Sequence, residues 1–140
     1  MTRQLLLLVI ASLTTTWAGA EVLRVDVAHR APIAGSGYEK IVGTAHFSLD
    51  PAHPRNRAVV DLDKVPVGPN GHVTFSTDIY ILRPLASSPG NGVALVDVVN
   101  RGRKMILTGF NRGGTQDPRT SEDFGDGFLM QHGFTLVWVG

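Results

Sequence analysis

Phe134-Thr135-Leu136-Val137-Trp138-Val139 is an unbroken apolar strand pattern that follows a helix-like segment ending at Gly133. A continuous apolar run after a helix reads as a parallel strand buried on both faces, in the interior of a sheet. Its five large apolar side chains are worth roughly 1.5–3 kcal/mol each on full burial. That sum is comparable with the whole net stability of a domain, about 5–15 kcal/mol. Only Gly140 follows it. Further strands and helices are expected to cover such a strand, so the stretch reads as the front part of a larger α/β protein.

Working back from this strand, Thr120-Ser121-Glu122-Asp123 reads as a helix start, with a hydroxyl cap and acids in the first turn. Gly125 and Gly127 weaken that helix by roughly 1 kcal/mol each. Residues 92–99 form a second near-continuous apolar run, interrupted by Asp97. The two runs with the helix between them predict one strand-loop-helix-strand unit, right-handed and parallel. Residues 100–118 are rich in Gly, Arg and Asn, and a loop of that length is usually functional or mobile.

The first half predicts antiparallel strands. Val22 to Val27 alternates as a half-buried strand, and residues 38–49 resume the pattern. His72 to Leu82 places Val73, Phe75, Thr77, Ile79 and Ile81 on one face. His72, Thr74, Ser76, Asp78 and Tyr80 fall on the other. Asn70-Gly71 supplies a tight turn, so residues 72–82 are expected to pair with 58–65 as a hairpin. The chain is β-rich as it stands, within an α/β class.

Residues 1–20 have the form of an export signal: Arg3, an apolar run from Leu5 to Leu13, and Ala18-Gly19-Ala20 as a small-x-small cleavage site. The run is far short of the ~20 apolar residues of a spanning helix. The mature chain, residues 21–140, is expected to be one domain, periplasmic or extracellular, without a stable membrane anchor. It carries 12 basic and 12 acidic side chains. That balance argues against nucleic acid or an anionic membrane surface as partner. The absence of cysteine excludes disulfides, a cysteine nucleophile and thiolate-ligated zinc.

The loop Asn100-Arg101-Gly102-Arg103-Lys104 is the best candidate site. It leaves the carboxyl end of a buried strand, where open parallel sheets bind ligands. Its cations and backbone N–H groups suit an anion or an oxyanion. The competing structural role is an ion pair between Asp97 and Arg101, because a carboxylate in a buried strand needs a partner. Arg112-Gly113-Gly114 is a weaker echo of the same pattern. His46, Asp50 and His53 are spaced loosely like metal ligands, but Asp50 is better read as capping its own turn. No metal or cofactor is expected. Asp61 and Asp63 fall on one face of the expected hairpin. Gly35-Ser36-Gly37 is not a nucleophile elbow, and no Gly-x-Ser-x-Gly occurs anywhere. His29, His72 and His132 have no recognisable nucleophile partner.

Three stretches together resemble bacterial exported α/β-hydrolase domain proteins. They are Tyr38-Glu39 through His46-Phe47 into Asp50-Pro51-Ala52-His53-Pro54 and Val60-Asp61-Leu62-Asp63; Val98-Val99-Asn100-Arg101-Gly102; and Asp126-Gly127-Phe128-Leu129 with Gly133 to Trp138. The resemblance implies the N-terminal part of an α/β-hydrolase fold, ending before the nucleophile elbow. It places Asn100, Arg101, Gly102 and Arg103 at the oxyanion loop, in a departure from the family's common His-Gly form. The implied activity is hydrolysis of a small-molecule ester or related acyl bond by the full-length protein. The nucleophile, acid and catalytic His are absent from this chain, which is not expected to catalyse alone. The alternative is a stand-alone exported β-rich binding module that uses the 100–118 loop.

Overall fold

The computed structural model describes residues 19–140. The expected export signal lies, up to residue 18, outside the described residues. Five strands form one mixed sheet: β1 (Ala20–Ile33), β2 (Tyr38–Leu49), β3 (Val73–Pro84), β4 (Ala94–Val98) and β5 (Thr135–Val139), in the spatial order β1-β2-β3-β5-β4. β1, β2, β3 and β5 pair antiparallel in succession, and β4 pairs parallel with β5. The helices are single turns, α1 (Ile106–Phe110) and α2 (Phe128–Gln131).

This architecture overturns the α/β-hydrolase expectation. Such a fold needs a mostly parallel sheet with helices on its faces. Here three of the four strand pairings are antiparallel, and the helices span five and four residues. The described residues form a small β-rich domain with one parallel strand pair among them. That parallel pair is the one expected from the two apolar runs, with Leu95 opposite Leu136 and Asp97 opposite Trp138.

β5 does lie inside the sheet, between β3 and β4. Its two faces differ, however. Leu136 and Trp138 are buried, whereas Thr135, Val137 and Val139 are half-buried. The expectation of burial on both faces therefore holds for one face only. The buried face joins Tyr38, Tyr80, Leu82, Leu136 and Trp138 to Ile106, Leu107, Phe124 and Leu129 in one apolar cluster. The segment from 99 to 133 thus covers this face. The register sets Tyr80 opposite both Val42 and Trp138, and Leu82 opposite Leu136.

The expected 58–65 hairpin does not form. Residues Pro54–Ala58 and Leu62–Lys64 are short 3₁₀ turns, and Val59 and Val60 are exposed. Asp61 adopts a left-handed backbone (φ 59°) that interrupts any ladder, and it pairs with Lys64 rather than standing beside Asp63 on a strand. β3 pairs instead with β2 over twelve residues, from Tyr38–Pro84 to Leu49–Val73. β1 is an edge strand whose residues 20–30 are exposed, so Val22 to Val27 is not half-buried. Two register shifts, at Val22/Arg24 and Val27/His29, break its alternation. Between them β1 closes on β2 at Gly43, where a Cβ would lie 2.3 Å from the Asp26 carbonyl oxygen.

The helix expected from Thr120 is also divided. Ser121–Phe124 is a 3₁₀ turn whose start is held by Asp123, which accepts from the Arg119 and Thr120 N–H groups. Gly125 (φ 68°, ψ −124°) and Gly127 (φ 70°) then turn the chain before α2. The close passage at Gly125 is compulsory, since a Cβ there would sit 2.1 Å from the Asn111 carbonyl oxygen. Asn111, fully buried, also accepts from the Leu129 N–H at 2.9 Å and donates to Met130 Sδ.

Candidate functional site

Where the 99–104 segment arches back over the sheet, it leaves a cleft of ≈ 330 Å³. The floor is the face of β2, β3 and β5 that carries Val42, Thr44, Asp78, Tyr80 and Trp138, and the arch contributes Val99, Gly102 and Lys104. The period of two along β2 and β3 puts these floor residues on one face. Tyr80 packs edge-on to Trp138, with ring centroids 5.5 Å apart.

The arch is tied at its start by the Val99 N–H to Val139 C=O bond at 2.9 Å and at its end by two side-chain acceptors. Asp97 accepts from the Met105 N–H at 3.2 Å, and Gln116 accepts from the Lys104 N–H at 3.0 Å. Asp117 takes Lys40 Nζ at 2.7 Å and the Tyr80 hydroxyl at 2.9 Å. The Lys40 contact, helped by Tyr80, holds the Asp117 carboxyl below its ordinary range against partial burial. Burial first, and then Asp117, raises the Tyr80 phenol far above its ordinary value, so it stays a protonated donor.

Lys104 Nζ lies 3.5 Å from the Tyr80 ring centroid, a cation–π contact. Burial pushes this ammonium below the usual lysine range; Asp117 opposes the shift and Lys40 adds to it. Trp138 Nε1 is buried without an acceptor among the described residues. At the rim, exposed Asp78 accepts from the Thr44 hydroxyl at 3.2 Å.

The residues expected at an oxyanion loop are only partly gathered here. Arg101 (φ 55°) and Gly102 (φ 73°) form the left-handed centre of a tight turn closed by the Arg103 N–H to Asn100 C=O bond. Gly102 lines the cleft, whereas Asn100, Arg101 and Arg103 are exposed and do not line it. Among the described residues Asp97 and Arg101 form no ion pair, because the Asp97 carboxylate is taken up by the Met105 N–H. His46 pairs with Asp26 at 2.9 Å, Asp50 accepts from the Ala52 N–H, and His53 accepts from the Arg55 N–H. These three are not assembled as ligands, and no metal-binding cluster of His, Cys, Asp or Glu occurs among the described residues. Arg112 is exposed, and Gly113 donates to the Leu107 carbonyl within the covering segment.

The sequence pointed to Lys104 and Gly102 but not to Lys40, Thr44, Asp117 or Trp138. The available signal was the inward face of β2, where Lys40, Val42 and Thr44 alternate. It becomes legible only once β2 is paired with β3.

Fold and site together define a β-rich domain with one face of its sheet covered by an irregular segment and a polar-aromatic cleft beneath that segment's arch. No protein-family model, no curated protein and no solved structure matches the chain. Among the described residues no helix is long and apolar enough to cross a membrane.

Proposed function

We propose that the chain is an exported binding module that holds a small ligand in the cleft between the β2–β3–β5 floor and the 99–104 arch. The observation that carries this is that the arch is held at both ends, at its start by the Val99 N–H to Val139 C=O bond and at its end by Asp97 and Gln116. A loop fixed at both ends above an unfilled stretch of sheet presents a preformed concavity, the usual form of a small-ligand site. The cleft volume is near the lower end of the roughly 300–1,000 Å³ common for such sites. Export rests on the signal-like pattern of residues 1–20.

Binding is preferred over hydrolysis because, among the described residues, no histidine lines the cleft to serve its Thr44 hydroxyl, whose partner is the exposed Asp78 carboxylate at the rim, and because the serine that contacts a histidine is out of reach. Ser48 contacts His72 Nδ1 at 2.9 Å, yet Ser48 is only 2% exposed and lies outside the cleft. A nucleophile needs both an adjacent base and access to substrate.

A thermal-shift screen with small fragments, followed by amide mapping of the hits on ¹⁵N-labelled protein, tests the proposal. A ligand that binds only the folded state raises its stability by mass action. The hits are expected to move the amides of Val42, Thr44, Val99, Gly102 and Lys104. Hits that map instead to the groove around Leu23, Phe47 and Phe75, or no hits at all, would overturn it.

A further inference from the structure

One cation on the wall of this cleft has no acceptor among the described residues, and a buried indole N–H lies behind the wall. Trp138 Nε1 is buried and unpartnered among the described residues, and Trp138 lines the cleft. Lys104 Nζ rests on the Tyr80 ring face and makes no hydrogen bond among the described residues. A ring face attracts the positive charge but supplies no lone pair for the three N–H bonds of an ammonium. Lys104 is half-buried, so its ammonium keeps bonding capacity that an acceptor in the cleft can fill. The Tyr80 ring joins the two residues: Nζ lies 3.5 Å from its centroid and the Trp138 ring 5.5 Å from it.

The nearby carboxylates do not meet this demand. Asp117 is committed to Lys40 and Tyr80, and Asp78 to Thr44 at the rim. Lys40 is neutralised by Asp117, which leaves Lys104 as the cation facing the cleft. One positive charge with unfilled hydrogen-bonding capacity matches a singly charged oxygen acceptor. The exposed Asp78 carboxylate on the rim disfavours a more highly charged anion. The remaining wall is apolar or aromatic, formed by Val42, Val99, Tyr80 and Trp138.

We propose, on the footing that the cleft binds a ligand at all, that the ligand is a small monocarboxylate with an apolar body. Its carboxylate answers Lys104 Nζ, and its body lies against Val42, Val99, Tyr80 and the Trp138 ring. A charge-assisted hydrogen bond is worth about 1.5–3 kcal/mol, which corresponds to about tenfold or more in affinity.

The test is a titration of ¹⁵N-labelled protein with three matched probes: benzoate, benzamide and benzylamine. Benzoate is expected to saturate and to move the Trp138 indole N–H resonance together with the Val99 and Gly102 amides. Benzamide and benzylamine are expected to bind about tenfold more weakly or worse. Lys104→Gln, checked as folded by its amide spectrum, should lower benzoate to the level of benzamide, and Lys104→Arg should retain the preference. Equal binding of all three probes in the cleft would overturn the carboxylate assignment and leave the binding module standing. No movement of any cleft resonance with any probe would overturn both.

Discussion

Glu39 is 5% exposed and takes two arginines from neighbouring strands. Arg30 of β1 donates to both of its oxygens at 2.7 and 3.0 Å, and Arg83 of β3 donates at 2.6 Å. A buried carboxylate survives only when its lone pairs are answered in this way. The Arg30 hydrogen bonds, assisted by Arg83, hold the Glu39 carboxyl below its ordinary value against the opposing effect of burial. The folded state therefore releases this proton at a lower pH than the unfolded chain does. Its stabilising contribution is complete above the ordinary value of 4.5 and is lost as pH falls through the depressed folded value. Glu39→Gln should accordingly reduce stability at neutral pH and flatten the fall in Tm between neutral pH and strong acid. Calorimetric scans of both proteins over that range check it, and an unchanged slope would contradict it. The motif was not legible from the sequence, because nothing local in Arg30, Glu39 or Arg83 reveals that three strands bring them together.

At the scale of elements, glycines divide what periodicity reads as one helix. Gly125 has φ 68° and ψ −124°, a conformation essentially restricted to glycine, and the Asn111 carbonyl occupies the place of its missing Cβ. Gly127 has φ 70° and ψ 10°, which a side chain tolerates at a cost of about 1–2 kcal/mol. Its added Cβ would meet only Gln131, at 3.3 Å. Gly125→Ala should therefore destabilise well beyond Gly127→Ala in urea unfolding; equal losses would contradict the packing of Asn111 against this turn. The acids and hydroxyls at 120–123 correctly marked a start, and Asp123 does hold it. Propensity alone priced both glycines alike and missed that a distant carbonyl demands one of them. Likewise, the apolar runs 92–99 and 134–139 gave the parallel β4–β5 pair, since two nearly continuous apolar runs flanking a helical segment leave few other arrangements. The Asn70-Gly71 turn misled by offering a hairpin, while the twelve-residue ladder between β2 and β3 took the strand.

For the whole molecule, the sheet presents two unequal faces, and the segment from 99 to 133 completes the core on one of them. The same segment arches away from the floor at Val99 to Lys104 and so makes the cleft. Sequence located half of that site, because Gly102 and Lys104 lie two residues apart in a loop of unusual composition. The other half lies on β2, β3 and β5, and its polar members are scattered singly along strands whose pairing no local signal fixes. The resemblance to α/β-hydrolase proteins followed short segments in order, whereas the antiparallel order β1-β2-β3-β5 depends on contacts between segments. Intermolecular nuclear Overhauser effects between unlabelled benzoate and ¹³C,¹⁵N-labelled protein measure the central claim most directly. The account predicts effects from the benzoate ring to the Val42 and Val99 methyls and the Tyr80 ring, with the Trp138 indole N–H shifted in the same sample. Effects to Leu23, Phe47 or Phe75 instead, with the Trp138 resonance unmoved, would contradict it.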